Sequence, residues 1–140
     1  MNRLFALRRF SPALACLLTF ISLTAGVDAA EEVADPTGIA YHALKPSFVS
    51  NLTGGPRYIR CDIQLMTEDP ADIPKIKLHT PALRHGILML IGGRDGARLK
   101  TPDGKEELRQ AALESVRNQL QELTGKHIVK DLYFTAYYVK

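Results

Sequence analysis

The 140-residue sequence holds few of the residues that anchor familiar chemistries. It has two cysteines, Cys16 in an apolar leader and Cys61 in an alternating segment, so no bridge between them is expected. Once the leader is set aside a single thiol remains, and the expectation for Cys61 is a small buried hydrophobe. His42, His79, His85 and His127 form no i, i+4 pair and have no cysteine nearby, so zinc-ligand spacing is absent and they read as solvated or structural histidines. No serine sits in a Gly-x-Ser-x-Gly elbow and no cysteine has a motif-linked histidine. Gly104-Lys105 resembles the end of a phosphate loop, but Leu99 stands where the first glycine belongs and Glu106 where a magnesium-binding hydroxyl belongs. Asp103, Glu106 and Glu107 gather at one helix start, where the helix dipole accounts for them without acid-base catalysis. Asn51-Leu52-Thr53 matches a glycosylation sequon by pattern alone. The expectation is a protein that is not an enzyme, with no metal and no cofactor.

A surplus of one charge is lacking as well. The 18 basic residues exceed the 15 acidic ones, but Arg3, Arg8 and Arg9 lie in the leader beside the lone acid Asp28. The chain beyond the leader is close to neutral with its signs interleaved, so no nucleic-acid partner is expected. Long apolar runs are confined to the leader, residues 1–29, where the basic start precedes an uncharged stretch containing Leu14, Leu17, Leu18, Phe20, Ile21 and Leu23. That is an export or membrane segment. Val27 and Ala29 put small residues at the −3 and −1 positions of a signal-peptidase site before Ala30. A cleaved signal peptide and a short membrane anchor remain the two readings; the run is shorter than the ~20 residues a spanning helix needs. The basic flank keeps its own side cytoplasmic in both cases, which places the domain outside the cytoplasm. Cys16 does not make a lipobox, because its leucine is one place late and apolar residues continue after it.

Residues 30–38 read as a linker ending in the turn Asp35-Pro36-Thr37-Gly38, and residues 39–140 as one domain. Residues 39–44 form an edge or irregular strand before Pro46, and residues 48–52 a second extended piece before the Thr53-Gly54-Gly55-Pro56 turn. From Arg57 to Met66 the alternation is clean, with Ile59, Cys61, Ile63 and Leu65 on one side and Tyr58, Arg60, Asp62 and Gln64 on the other. The spacing predicts a half-buried strand in an antiparallel hairpin with residues 48–52. Residues 71–79 predict a short or broken helix because of Pro74, and Thr80-Pro81 predicts the start of another carrying Leu83, Ile87, Leu88, Leu90 and Ile91 inward, with Arg84 and His85 on its polar side. Asp95 can cap the turn of residues 96–99. Thr101-Pro102 opens a last helix whose apolar stripe is Leu108, Ala112, Val116, Leu120 and Leu123, and Gly125 stops it. Residues 128–139 are aromatic and β-branched and predict a strand that joins the hairpin. The fold class is α+β, a small and mainly antiparallel sheet packed with two or three helices.

Several blocks taken in order resemble one family, the flagellar basal-body-associated FliL proteins. They are Tyr41-x-x-Leu44-x-Pro46-x-Phe48-Val49-x-Asn51-Leu52, then Arg57-Tyr58-Ile59-Arg60, then Pro81-x-Leu83-Arg84-x-x-Ile87-Leu88-x-Leu90. Leu99-x-Thr101-x-x-Gly104-Lys105-x-x-Leu108-Arg109 and Asp131-Leu132-Tyr133-Phe134-Thr135-x-Tyr137 complete the series. The resemblance implies a stomatin/prohibitin-like periplasmic domain held at the inner membrane, a homo-oligomeric ring, and association with the stator proteins MotA and MotB in support of motility or swarming. The family's membrane helix is longer than this leader, so a soluble periplasmic self-associating binding module without a flagellar role stands as the alternative. Tyr58 and Arg60 on the solvent side of their strand, Arg94 in the loop after the second predicted helix, and Arg117 on the last helix are the candidate partner or self-association residues.

Overall fold

A computed structural model describes residues 38–140. The leader, its cleavage residues Val27, Ala29 and Ala30, and the linker through residue 37 lie outside the described residues. The elements are β1 (Ala40–Ala43), β2 (Phe48–Asn51), β3 (Tyr58–Thr67), α1 (Ile73–Ile91, entered through a 3-10 turn at Pro70–Asp72), α2 (Gly96–Leu99), α3 (Pro102–Thr124) and β4 (Asp131–Val139). All strand pairings are antiparallel, and the class is α+β.

β3 is the axis of the sheet. Its alternation places Ile59, Cys61, Ile63, Leu65 and Thr67 under the helices, essentially without solvent exposure. β4 runs along one edge of β3 from Val139 opposite Ile59 to Asp131 opposite Met66. Because β4 takes that whole edge, β1 and β2 share the other, end to end: Ala40 pairs with Thr67 and Ala43 with Gln64, then Phe48 with Cys61 and Asn51 with Tyr58. Between the two short strands, residues 44–47 stand opposite only Asp62 and Ile63, and the Lys45-Pro46 peptide is cis. The register of β4 slips at the same Asp62/Ile63 step, where Thr135 is the extra residue of a bulge.

The helices cover one face. α1 is a single helix of 19 residues with Pro74 in its first turn and Pro81 inside it, so the predicted break at residue 80 does not occur. Pro81 cannot donate to the carbonyl one turn back, and an interior proline costs about 3 kcal/mol. Ile73, Ile76, Leu83, Ile87 and Ile91 are all buried along one stripe that spans the proline, and each such side chain gains about 1.5–3 kcal/mol by burial. The stripe outweighs that cost. Leu88 and Leu90, expected inward, are only partly buried, and Leu78 and Met89 are exposed.

α3 keeps its predicted start and stop. Thr101 caps it, its hydroxyl accepting from the Gly104 N–H at 3.0 Å, and Gly125 ends it. Its buried stripe is Leu108, Ala112, Leu113, Val116 and Leu120. Leu123, counted in that stripe by spacing, is 49% exposed because it lies in the last turn, beyond the end of the sheet-facing stripe. The Thr101-x-x-Gly104 pattern has a steric cause: a Cβ on Gly104 would lie 2.0 Å from the Arg98 carbonyl oxygen, where α2 turns into α3.

Candidate functional site

With both long helices on one face, no described element covers the other face of the sheet. β3 presents Tyr58, Arg60, Asp62, Gln64 and Met66 there, and the neighbouring strands add Tyr41, Val49, Tyr133 and Tyr138. Four tyrosines form two pairs. The ring centroids of Tyr41 and Tyr133 are 6.4 Å apart, and those of Tyr58 and Tyr138 are 6.3 Å apart. The Tyr133 hydroxyl points at the Met66 sulfur, 3.6 Å away. Val49 and Tyr138 are more than half exposed. Tyrosine supplies a flat apolar body with a polar tip, the combination that contacts with other proteins favour.

The two register breaks meet on this face. Between them a pocket of about 310 Å³ is lined by Lys45, Pro46, Ser47, Asp62 and Thr135 among others. Asp62 Oδ1 is buried there without a hydrogen-bond partner. From below, Arg84 of α1 donates to the Leu44 carbonyl at 2.7 Å and the Pro46 carbonyl at 2.5 Å, and its guanidinium lies 4.2 Å from the centroid of the Phe48 ring. Arg84 therefore pins the break between β1 and β2. Residue spacing placed it on a polar face and missed this role, which depends on contacts made by residues 38 or 40 positions away.

The four candidate contact residues are divided by the fold. Tyr58 and Arg60 share the open face, and Arg60 reaches the Ser47 hydroxyl at 3.5 Å. Arg94 lies beside the β2–β3 turn and donates to the Leu90 carbonyl at 2.9 Å. Arg117 lies toward the opposite end of β3 and donates to the Val129 carbonyl at 3.1 Å and to the Lys130 carbonyl. It lines a second, wider depression of about 770 Å³ with Glu68, Asp72, Glu114 and His127.

Several charged side chains brace the described domain. Arg109 of α3 holds Glu106 and Asp131 at 2.6 Å each, linking the helix to the start of β4. The hydrogen bond from Arg109, helped by Gln110, holds the Glu106 carboxyl down at about 2. Burial pushes the Asp131 carboxyl up, but the Leu132 N–H, Tyr133 and Arg109 together leave it below the usual range. Arg98 lowers Glu107 in the same way. Burial, then the charge of Asp62, pushes the Cys61 thiol up to about 12, which keeps it protonated and unreactive. Tyr137 is likewise raised to about 12 by burial, and its hydroxyl donates to the Leu99 carbonyl at 2.8 Å. Among the described residues no group of three or more His, Cys, Asp and Glu is placed to hold a metal ion. No described helix is long and apolar enough to cross a membrane.

The described residues thus define an α+β domain with one sheet face covered by helices and the other open and tyrosine-rich. The comparisons with known proteins assign that domain to a family. Residues 41–139 match the family described as flagellar basal body-associated protein FliL, so the chain belongs to the FliL family. The chain is also similar to the flagellar protein FliL of Aquifex aeolicus (strain VF5), with 29% identity over 114 residues that cover 79% of this chain and 68% of that one. Membership makes it an accessory of the flagellar basal body.

Proposed function

We propose that this protein is a non-enzymatic accessory that sits on the periplasmic side of the inner membrane, associates with the stator proteins MotA and MotB, and supports torque for swimming or swarming as a homo-oligomer. The family match across residues 41–139 carries this reading, since it spans nearly the whole described domain rather than one motif. The uncovered face around Tyr58 and Arg60 supports it with a surface of suitable chemistry. The leader gives the membrane its place in the proposal, through Leu14, Leu17, Leu18, Phe20, Ile21 and Leu23 if retained, or through export and release before Ala30 if cut.

The deciding experiment is motility under load. Deletion of the gene should reduce swarming on stiff agar more than swimming in liquid, and the wild-type gene should restore it. A photo-cross-linking residue in place of Tyr58 should capture a stator protein. Normal swarming in the deletion strain would refute the flagellar role and leave a periplasmic binding module. Intact-mass measurement of the protein from cell envelopes decides between cleavage before Ala30 and an intact anchor.

A further inference from the structure

Asp62 stands at the centre of the open face of β3, four positions from Tyr58 and four from Met66. Its Oδ1 is buried and accepts no hydrogen bond, and among the described residues Asp62 takes part in no ion pair. Buried acceptors are nearly always satisfied in folded proteins, and a bare one costs stability. Two cations that reach the same break are turned to other groups: Arg60 donates to the Ser47 hydroxyl at 3.5 Å, and Arg84 donates to the Leu44 and Pro46 carbonyls. Lys45 lines the pocket, but it is exposed and pairs with no acid among the described residues. The carboxylate oxygen is therefore an acceptor whose donor is not supplied by the domain itself.

The cavity beside it narrows the choice of donor. Its volume of about 310 Å³ is more than one bridging water fills, its walls include Leu44, Pro46 and Ile63, and Ser47 and Thr135 add a hydroxyl each. Apolar walls around a carboxylate suit a guest with an apolar stem and a donor head, which is the build of a lysine side chain. An ammonium brings three donors and no acceptor, and here it meets one carboxylate and two hydroxyls; an anion meets only repulsion from Asp62. The surroundings bear on the guest as well. The Tyr58–Tyr138 pair lies on one side of Asp62 and the Tyr41–Tyr133 pair on the other. At a strand rise of ~3.3 Å per residue, Tyr58 and Met66 are each roughly 13 Å from Asp62 along β3. An extended chain covers that distance in four residues, and residues four apart share a face. A free amine leaves both tyrosine pairs unused.

We propose that the Asp62 pocket receives the ammonium group of a single lysine in an extended segment of a partner protein, with apolar residues four positions before and after that lysine resting on the two tyrosine pairs. The ammonium supplies the donor that the buried oxygen lacks, through a charge-assisted hydrogen bond. Lys45 and Arg60 beside the pocket repel further positive charge, so the segment carries one lysine at this point rather than a basic run. Arg84 holds the Leu44 and Pro46 carbonyls, so that wall of the pocket is in place before the guest arrives. Asp62 is then a residue kept at some cost to the free domain for what it does in the complex. The reading rests on the Asp62 pocket alone and holds whether or not the segment belongs to a stator protein.

Fluorescence anisotropy of a labelled synthetic peptide titrated with the purified full chain tests it. The peptide is acetylated and amidated, carries one central lysine with a leucine four positions to either side, and is otherwise serine and threonine. It should bind with a Kd below about 1 mM. Replacing its lysine by norleucine, or Asp62→Asn in the protein, should each weaken binding about tenfold, and the two together little more than either alone. Asp62→Asn should leave the melting temperature equal to or above wild type, because the oxygen has no partner in the free domain. A fall in melting temperature would assign Asp62 to bracing and overturn the proposal. Absence of binding, which would leave the pocket to water, equal affinity of the norleucine peptide, or undiminished binding by Asp62→Asn overturns it too. Displacement of the peptide by n-butylamine at the peptide's own concentration would make the pocket a site for small amines and overturn the extended segment as its occupant.

Discussion

Gly104→Ala is a sharp test of how the α2–α3 corner is built, because two opposing effects set its sign. In an ordinary helix interior the change stabilises, by about 1 kcal/mol, since alanine is the better helix former. Here the new Cβ would be 2.0 Å from the Arg98 carbonyl oxygen and 2.7 Å from its carbon. That carbonyl cannot simply retreat, because it accepts the Thr101 N–H at 3.0 Å and the Thr101 hydroxyl at 2.8 Å, and the same hydroxyl caps Gly104. Forcing the methyl in costs about 1–3 kcal/mol of overpacking, and losing one or two of those hydrogen bonds adds about 0.5–1.5 kcal/mol each. The net expectation is destabilisation by about 2–3 kcal/mol, or roughly 10–20 °C in melting temperature for a domain of this size. Urea titration followed by far-UV circular dichroism measures it. A midpoint equal to or above wild type would refute the steric account of the Thr101-x-x-Gly104 pattern.

Four further outcomes rest on the packing and charges. Leu120→Asp, which places a carboxylate at a position with no solvent exposure, should cost more than about 3 kcal/mol and leave the domain unfolded at 37 °C; an unchanged melting curve would mean the α3 face is wrong. Arg84→Met should cost about 2 kcal/mol through the loss of two charged hydrogen bonds and the contact with Phe48, and Arg84→Lys should restore less than half, since an ammonium cannot reproduce the planar fork. In acid, Glu106, Glu107 and Asp131 have folded values below their ordinary ones. Their contribution is therefore complete above the ordinary carboxylate range and is lost as pH falls through it toward about 2, the value of Glu106. Thermal melts at stepped pH should show that decline, and Arg109→Met should flatten it. The native Cys61 peptide should resist alkylation at pH 8 until denaturant is added, as mass mapping will show; fast native labelling would contradict its burial.

The parts of the fold that could be read from the residues are those governed by local rules. β3 announced itself by alternation, α3 by its cap, proline and glycine, and Asp95 caps α2 through the Ala97 and Arg98 N–H groups as its position suggested. The α1 error shows the limit: Thr80-Pro81 reads as a helix start from its local signal, while the outcome is set by four isoleucines and Leu83 that find their partners only in the assembled core. The site divides in the same way. Tyr58 and Arg60 could be assigned to the open face by parity, but Arg94 and Arg117, chosen for an exposed loop and the solvent side of the last helix, hold backbone carbonyls toward opposite ends of β3. Arg84 and the Asp62 pocket could not be seen at all, because both arise where segments distant in sequence fall out of step.

The coincidence of two register breaks at Asp62 and Ile63 has a mechanical consequence for the open face. Bulges sharpen the right-handed twist of a strand, and here the pairing of β3 with both neighbours shifts at the same step, where the Leu44 N–H still donates to the Ile63 carbonyl at 2.9 Å. The twist of the sheet therefore changes at one step that Arg84 holds, with one tyrosine pair on each side of it. An extended segment that follows the twist would cross that step to engage both pairs. The twist fixed at residues 62 and 63 then sets the angle between the two footholds, so the fit of such a segment depends on how the sheet is wound as well as on which residues it displays.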